Sequence, residues 1–413
     1  CSPTDPPIPP NVAAPIWDGW ELTVGPVHFE GKPYKFITYN PTWNSLLGNV
    51  SWYGSIENLS DHHFGWGYLI KAAALIAQFD TSVDPQTGKP WWDIEQGWGG
   101  IVNLMIRDVM DWRKPGEADP YGLSFVRCKY LNPVEGHMYA NGHGNTGDGN
   151  DEESSSEALN FANACIEWGA ATGQADIRDL GILLRSMYAQ AVPMYWFNVD
   201  GDVLPSTTAD KPFPNAGQIT GAGNRHDTFF SGGTFDAGCS SRNSDLVAIE
   251  TLPVTAGTLA MTLFTPQLKV AWQTVENASG PYCGATGKCY LSTLLSFQAL
   301  FDAAAAQAAF LQRANPAQGF DEWYNYNRQT HGLKQPEDHA YATTYAFILS
   351  LAQLGAAKAT SLSSPDANPF YMPLADGSVL VYNPTAKERA FRIGSASVTV
   401  PALRCVRISA GIA

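Results

Sequence analysis

Basic residues are scarce in this chain: 25 lysines and arginines stand against 39 aspartates and glutamates, a net charge of -14 with histidine neutral. Nucleic acids and anionic membrane surfaces are gripped by a Lys/Arg footprint, so both are excluded as partners on charge. Charged residues of either sign make up only 15% of the chain, too few for a solvated, disordered polymer. Long hydrophobic runs are lacking as well, with no stretch near the roughly 20 apolar residues of a membrane span. Histidine and cysteine number 8 and 7 and fall in no CxxC or HExxH spacing, which removes the usual zinc signatures. The pair His62-His63 beside Asp61 has no third ligand at a sensible spacing. No metal site and no cofactor is expected.

What the chain has in quantity is apolar and aromatic material. Hydrophobic residues are 45% of its 413 positions, including 13 Trp and 17 Tyr. That is enough for a large core, and flat rings with a polar edge suit the faces of sugar rings, although most such rings in any protein are core. A neutral ligand fits this composition better than a charged one. The chain starts "CSPTDPPIPP". A cysteine ahead of a Pro-rich, extended spacer resembles a bacterial lipoprotein after signal cleavage, with a lipid on Cys1 as its one contact with a membrane. The other reading is an arbitrary start. Of the remaining cysteines, Cys283 and Cys289 bracket the Gly-rich "CGATGKC" and are the expected disulfide, while Cys128, Cys165, Cys239 and Cys405 cannot be paired.

Periodicity sets the organisation. Residues 1–15 form the tether, and residues 16 to about 60 read as loops with short strands. Helices are expected over 64–80, 94–112, 153–173, 175–197, 244–264 with a break at Pro253, 266–276, 290–313 and 339–355. Several are apolar on more than one face, which marks helices buried between others. The expected fold is mainly α: an (α/α)6 barrel over 16–365. A small antiparallel β unit follows over 366–413, where "GSVLVYNP", "ERAFRIG" and "SVTVPALRCVRI" alternate between turn residues. Gly- and Asn-rich loops of the length of 132–150 and 206–240 tend to be functional.

The run "GDGNDEESSSEALNF" crowds Asp148, Asp151, Glu152, Glu153 and Glu157 at the start of an apolar helix. If Glu153 and Glu157 are both helical they share one face, about 5–6 Å apart. Ser154 with Glu157 also fits a capping box, but a cap needs one or two acids, and five repel one another. A second stretch, "DHHFGWGYLIKAAA", puts Asp61 at the mouth of another helix, where an N-cap is worth about 1 kcal/mol.

"DHHFGWGY", "EGHMYANG" at 135–142, "DGNDEESSSEA" and "VAIETLPVTAGTL" at 247–259 together resemble the catalytic domain of glycoside hydrolase family 81, the endo-β-1,3-glucanases or laminarinases. The resemblance keeps its order over residues 36 to 355. It implies an (α/α)6 barrel and inverting hydrolysis of β-1,3-glucan. Asp61 would be the general acid, Glu157 the base and Glu153 a supporting carboxylate. His62, Tyr68, His137 and Trp43 would face the sugar. Three departures stand out: only about 35 residues precede the match, Glu152 replaces a glutamine, and Met138-Tyr139 replaces Ser-Trp. Asp61 at a helix start meets a tension, because that position favours the ionised form while an acid must hold its proton; burial and nearby carboxylates would have to raise it.

Rival readings are a glycan-active (α/α)6 enzyme of another linkage, including a lyase, and a non-catalytic surface glycan-binding lipoprotein. A lyase needs cations for uronic acids, and almost none flank Asp61 or Glu153. A binder does not need these three carboxylates, Asp61, Glu153 and Glu157. The expected location is extracellular, cell-surface or periplasmic; the oligomeric state is not encoded in any motif.

Overall fold

The computed structural model describes residues 37–119, 121–142, 147–203, 213–228, 242–277, 291–313, 341–354 and most of 371–409, with short strands among residues 16–33. The tract 1–15 with Cys1, and Cys239, Cys283 and Cys289, lie outside the described residues, and with them the expected lipid site and disulfide. Cys128 and Cys405 are exposed free thiols and Cys165 a buried one.

The chain is mainly helical, and it divides into two units: residues 1–151 with 158–185, and residues 152–157 with 186–413. In the first unit, the antiparallel strands Ile37–Asn40 and Ser45–Gly48 precede helices α1 (His62–Phe79) and α2 (Gly99–Val109). α2 starts later than periodicity predicts. Asp93 Oδ1 accepts from the amides of Glu95 and Gln96 at 2.9 and 3.0 Å, an aspartate turn that competes with helix.

Helices α3 (Ser155–Thr172) and α4 (Ala175–Ala191) follow. α1 approaches α3 closely because Gly67 has no side chain; a Cβ there would lie 3.2 Å from Cα and Cβ of Phe161. Phe161, Ala162, Cys165 and Trp168 are fully buried, and a large apolar side chain so placed contributes about 1.5–3 kcal/mol. The Trp168 indole donates to Asn103 Oδ1 at 2.8 Å, and Asn103 donates on to Gln174 at 2.7 Å, tying α2 to the α3–α4 turn.

In the second unit, a π-helical turn Val192–Trp196 continues from α4. It contains Pro193, which has no N–H for a regular ladder. Next come α5 (Arg242–Ile249), a 3-10 helix Ala256–Phe264, α6 (Thr265–Asn277), α7 (Leu291–Arg313) and α8 (Tyr341–Leu354). α7 packs against α5, α6 and α8, with Phe310 and Tyr345 stacked at 5.2 Å. Its segment Ser292–Gln312 is long and apolar enough to cross a membrane by length and composition alone, contrary to the expectation from the sequence. The segment is broken at Asp302, whose backbone (φ -150, ψ 71) is non-helical. Asp302 Oδ1 accepts from the Ala305 amide at 3.0 Å and caps a fresh start of the helix.

After residue 370, Val379–Tyr382 lies between Tyr371–Pro373 and Cys405–Ile408 in an antiparallel sheet, and Arg389–Ile393 pairs with Ala396–Val400. Val379, Val381, Val400 and Ile408 form their buried core, the period-2 alternation of a half-buried sheet.

Candidate active site

Asp61 precedes α1 in the left-handed conformation, φ 62, ψ 18, and makes no capping hydrogen bond to the helix with its side chain. Aspartate tolerates this region better than most residues, at a cost of about 1–3 kcal/mol. Neighbouring backbone holds it there. The Asp61 amide donates to Ala140 O at 2.9 Å, Ser60 bridges Asn141, and the Gly142 amide donates to Leu59 O at 3.2 Å. Gly142 is needed for this approach, since a Cβ would come within 2.7 Å of Leu59 Cβ. The Ala140 amide in turn donates to Asp151 O at 2.5 Å, and Asn141 Nδ2 to Asp151 Oδ1 at 2.7 Å. Three of the stretches singled out in the sequence, 59–61, 140–142 and 150–151, are therefore laced edge to edge.

Beneath Asp61 lies a buried ionic cluster. Asp108, on α2, is fully buried. Its Oδ1 accepts from Ser45 Oγ and the Leu46 amide, both at 2.9 Å, and from Lys129 Nζ. Its Oδ2 accepts from Trp66 Nε1 at 2.8 Å and meets His62 Nδ1 at 2.6 Å. Burial would raise the Asp108 carboxyl; Lys129 and His62 outweigh it and hold the group well below the usual carboxylate range. His62 Nε2 lies 2.8 Å from Ser55 O, so both ring nitrogens are taken by protein acceptors. Tyr130 Oη donates to Leu59 O at 2.6 Å; burial first, then the charges of Asp108 and Asp61, push this phenol well above its ordinary value.

The second unit holds the glutamates. Glu153 precedes α3, which begins at Ser155, so the two glutamates do not share a helix face as their spacing suggested. The helix starts here because Ser154 Oγ accepts from the Glu157 amide at 3.3 Å, the serine half of the anticipated capping box. All three serines grip one turn. Ser154 Oγ lies 3.2 Å from Ile249 O and 3.4 Å from Leu252 O, and Ser156 Oγ donates to Ile249 O at 3.1 Å and to Leu252 O. The Ser155 amide (3.1 Å) and hydroxyl both donate to Glu250 Oε2. Glu152, the residue standing where glutamine was expected, is fully buried and accepts from Tyr188 Oη at 2.7 Å. Among residues 151–162, Glu153 and Glu157 alone are not buried. The stretch is a buried clamp in which Glu153 and Glu157 are half-buried.

The expected sugar-facing residues separate into two groups. Trp43 and Tyr68 are exposed. His62 and His137 are fully buried, a poor position for contact with a polymer. His137 Nδ1 lies 2.7 Å from Met138 O and Nε2 3.6 Å from Glu135 Oε2. Burial lowers its pKa, against the pull of the Met138 carbonyl and Glu135. Met138 is buried, while the Tyr139 hydroxyl donates to Glu135 Oε2 at 2.7 Å.

Sequence reading missed Asp108, Lys129 and Glu250. Asp108 falls four residues after Leu104 and seven after Ile101 on α2, the apolar face, and an acid at that phase was the available signal. Glu250 follows the last residue of α5, and no pattern in the sequence marks it as buried.

The sequence profile of the glycosyl hydrolase family 81 C-terminal domain matches residues 28–324. A glucan endo-1,3-beta-D-glucosidase of Acetivibrio thermocellus is 33% identical over 298 residues, 72% of this chain and 35% of that protein. One of Thermobifida fusca is 30% identical over 373 residues, 90% of this chain and 42% of that protein. A solved glycoside hydrolase family 81 structure from Clostridium thermocellum superposes with a TM-score of 0.71 at 28% identity, covering 93% of this chain and 47% of the other. The chain thus spans less than half the length of these relatives.

Proposed function

The chain belongs to glycosyl hydrolase family 81, and from that premise we propose that it is an endo-β-1,3-glucanase that cleaves a laminarin-like polymer with inversion. The fold assigned to it is an (α/α)6 barrel over 16–365 carrying a β unit at 366–413 on one chain. It acts outside the cell.

Asp61 is the general acid, protonating the leaving glycosidic oxygen. Glu157 is the base, activating water on the opposite face of the sugar, and Glu153 supports it. Inversion requires the acid and base carboxyls about 6.5–9.5 Å apart, leaving room for one water. Tyr68 and Trp43 are the stacking platforms. His62 and His137 act from beneath, His62 by fixing the start of α1 and His137 by fixing the strand before Ala140.

The observation that carries this reading is the burial pattern of the triple-serine run, residues 151–162, in which Glu153 and Glu157 alone are half-buried while every other residue is buried. Asp61 supports it from the other unit: its strained backbone is held by neighbours while its side chain makes no cap. The names of the relatives, glucan endo-1,3-beta-D-glucosidases, support the substrate.

The test is Glu157→Gln on laminarin, following new reducing ends and, by NMR, the anomer first released. Turnover falls roughly 10²–10⁴-fold, as for loss of a general base, while the melting temperature and glucan affinity hold. Release of the β anomer first would refute inversion, and unchanged turnover would remove Glu157 as base. Pustulan and a uronic-acid polymer serve as parallel substrates, since product from either moves the linkage assignment. Binding of laminarin by the unmodified chain without any product favours the glycan-binding reading instead.

A further inference from the structure

Behind the two half-buried glutamates lies a third carboxyl that hydrolysis does not use directly. Glu250 is fully buried, directly after α5. Its Oε2 takes both the amide and the hydroxyl of Ser155, the first residue of α3. Its Oε1 is buried and has no hydrogen-bond partner among the described residues. The charged groups acting on it are Glu153 and Glu152, from the run before α3, and Glu152 is itself bonded to Tyr188 of α4. Among the described residues Glu250 has no cationic partner.

We propose that Glu250 is a positioning residue for the base: an un-ionised carboxyl that holds Ser155, and through it the first turn of α3 from which Glu157 projects.

This rests on the assignment of Glu157 above. The geometry says which oxygen carries the hydrogen when the group is neutral. A carboxylic acid accepts through its carbonyl oxygen and carries hydrogen on the other; Oε2 is the acceptor of two bonds, which leaves Oε1 for the hydrogen. Two opposing effects decide the charge. The start of α3 and the two Ser155 bonds favour an anion. Burial, and the two glutamates beside it, disfavour a further negative charge in a low-dielectric site. Burial is the largest of these influences and raises the group well above its ordinary value; the Ser155 bonds oppose it, and Glu153 and Glu152 reinforce it. Kept neutral, Glu250 grips the helix start without adding a charge that would alter the proton affinity of Glu153.

The experiment uses three proteins over pH 5 to 9: the unmodified chain, Glu250→Gln and Glu250→Ala. Infrared spectroscopy of the unmodified chain at neutral pH shows an un-ionised carboxyl C=O band that is missing from Glu250→Gln. Glutamine keeps the acceptor and the neutrality, so Glu250→Gln holds kcat on laminarin within about 3-fold at neutral pH, and at alkaline pH it no longer loses what ionisation of Glu250 would cost. Alanine drops Ser155, and kcat falls by about 10²-fold with KM little changed, as for a displaced catalytic group. The proposal is overturned if the band is missing from the unmodified chain, if glutamine is as damaging as alanine, or if alanine leaves kcat untouched. Should the unmodified chain release no product from any glucan, the hydrolase assignment fails by itself, and the infrared band still decides the state of Glu250.

Discussion

Asp108 and Glu250 are equally withdrawn from solvent, each behind the start of a helix that bears a proposed catalytic carboxyl, and they end in opposite states. Asp108 receives five hydrogen-bond contacts, one from a lysine and one from a histidine. Burial is more than offset, and the group is an anion. Glu250 receives two contacts, both from one serine, and its charged neighbours are glutamates. Among the described residues no cation opposes burial, and the proton stays. Depth alone does not decide whether a carboxyl ionises; the sign of the groups enclosed with it does.

The sharpest way to break this contrast is to take away the cation. Lys129→Met removes the lysine partner of the buried Asp108, leaving His62 as its facing ionisable group, and costs about 3–5 kcal/mol in urea denaturation. Glu250→Gln removes no compensated charge and costs under about 1.5 kcal/mol in the same measurement. Equal losses would erase the distinction between the two groups.

Next in size is the dependence on pH. Asp108 has a depressed folded value, so its contribution is present above the ordinary aspartate value of about 3.9 and is lost as pH falls. Glu250 has a raised one, so its contribution is complete below the ordinary glutamate value of about 4.3 and is lost as pH climbs toward the folded value. Melting scans should therefore show the stability gap between the unmodified chain and Asp108→Asn closing in acid, and the gap to Glu250→Gln closing toward alkaline pH. A Glu250 gap that widens with pH would mean that the group is ionised after all.

The smallest effect sharpens the surroundings of Glu250. Tyr188→Phe strips Glu152 of a buried donor at 2.7 Å and costs about 1–3 kcal/mol by thermal unfolding. An unchanged melting temperature would mean that Glu152 finds another donor.

Much of this framework was legible beforehand. α1 falls within two residues of its expected bounds and α6 starts within one, because their apolar spacing is regular. Misreadings occur where a side chain rewrites the backbone: Asp93 delays α2, Ser154 sets the start of α3, and Asp302 divides α7. The stretches around Asp61, Glu153 and Glu157 were found from the sequence, since each concentrates acids or aromatics at a helix mouth. Their supports were not. Asp108 meets His62 across 46 positions and Glu250 meets Ser155 across 95, and local periodicity carries no information over such distances. The resemblance set His62 and His137 facing the sugar; the folded chain buries both.

The serine grip also imposes an order in time. Its anchor, the turn from Ile249 to Leu252, is made 93 to 98 residues after the serines that hold it. At 5–20 residues per second on the ribosome, the start of α3 leaves without its anchor for about 5–20 s. During that interval the acidic run is tethered by neither serine nor carbonyl, and a nascent chain stalled short of Ile249 would carry the glutamates but not the frame that aims them.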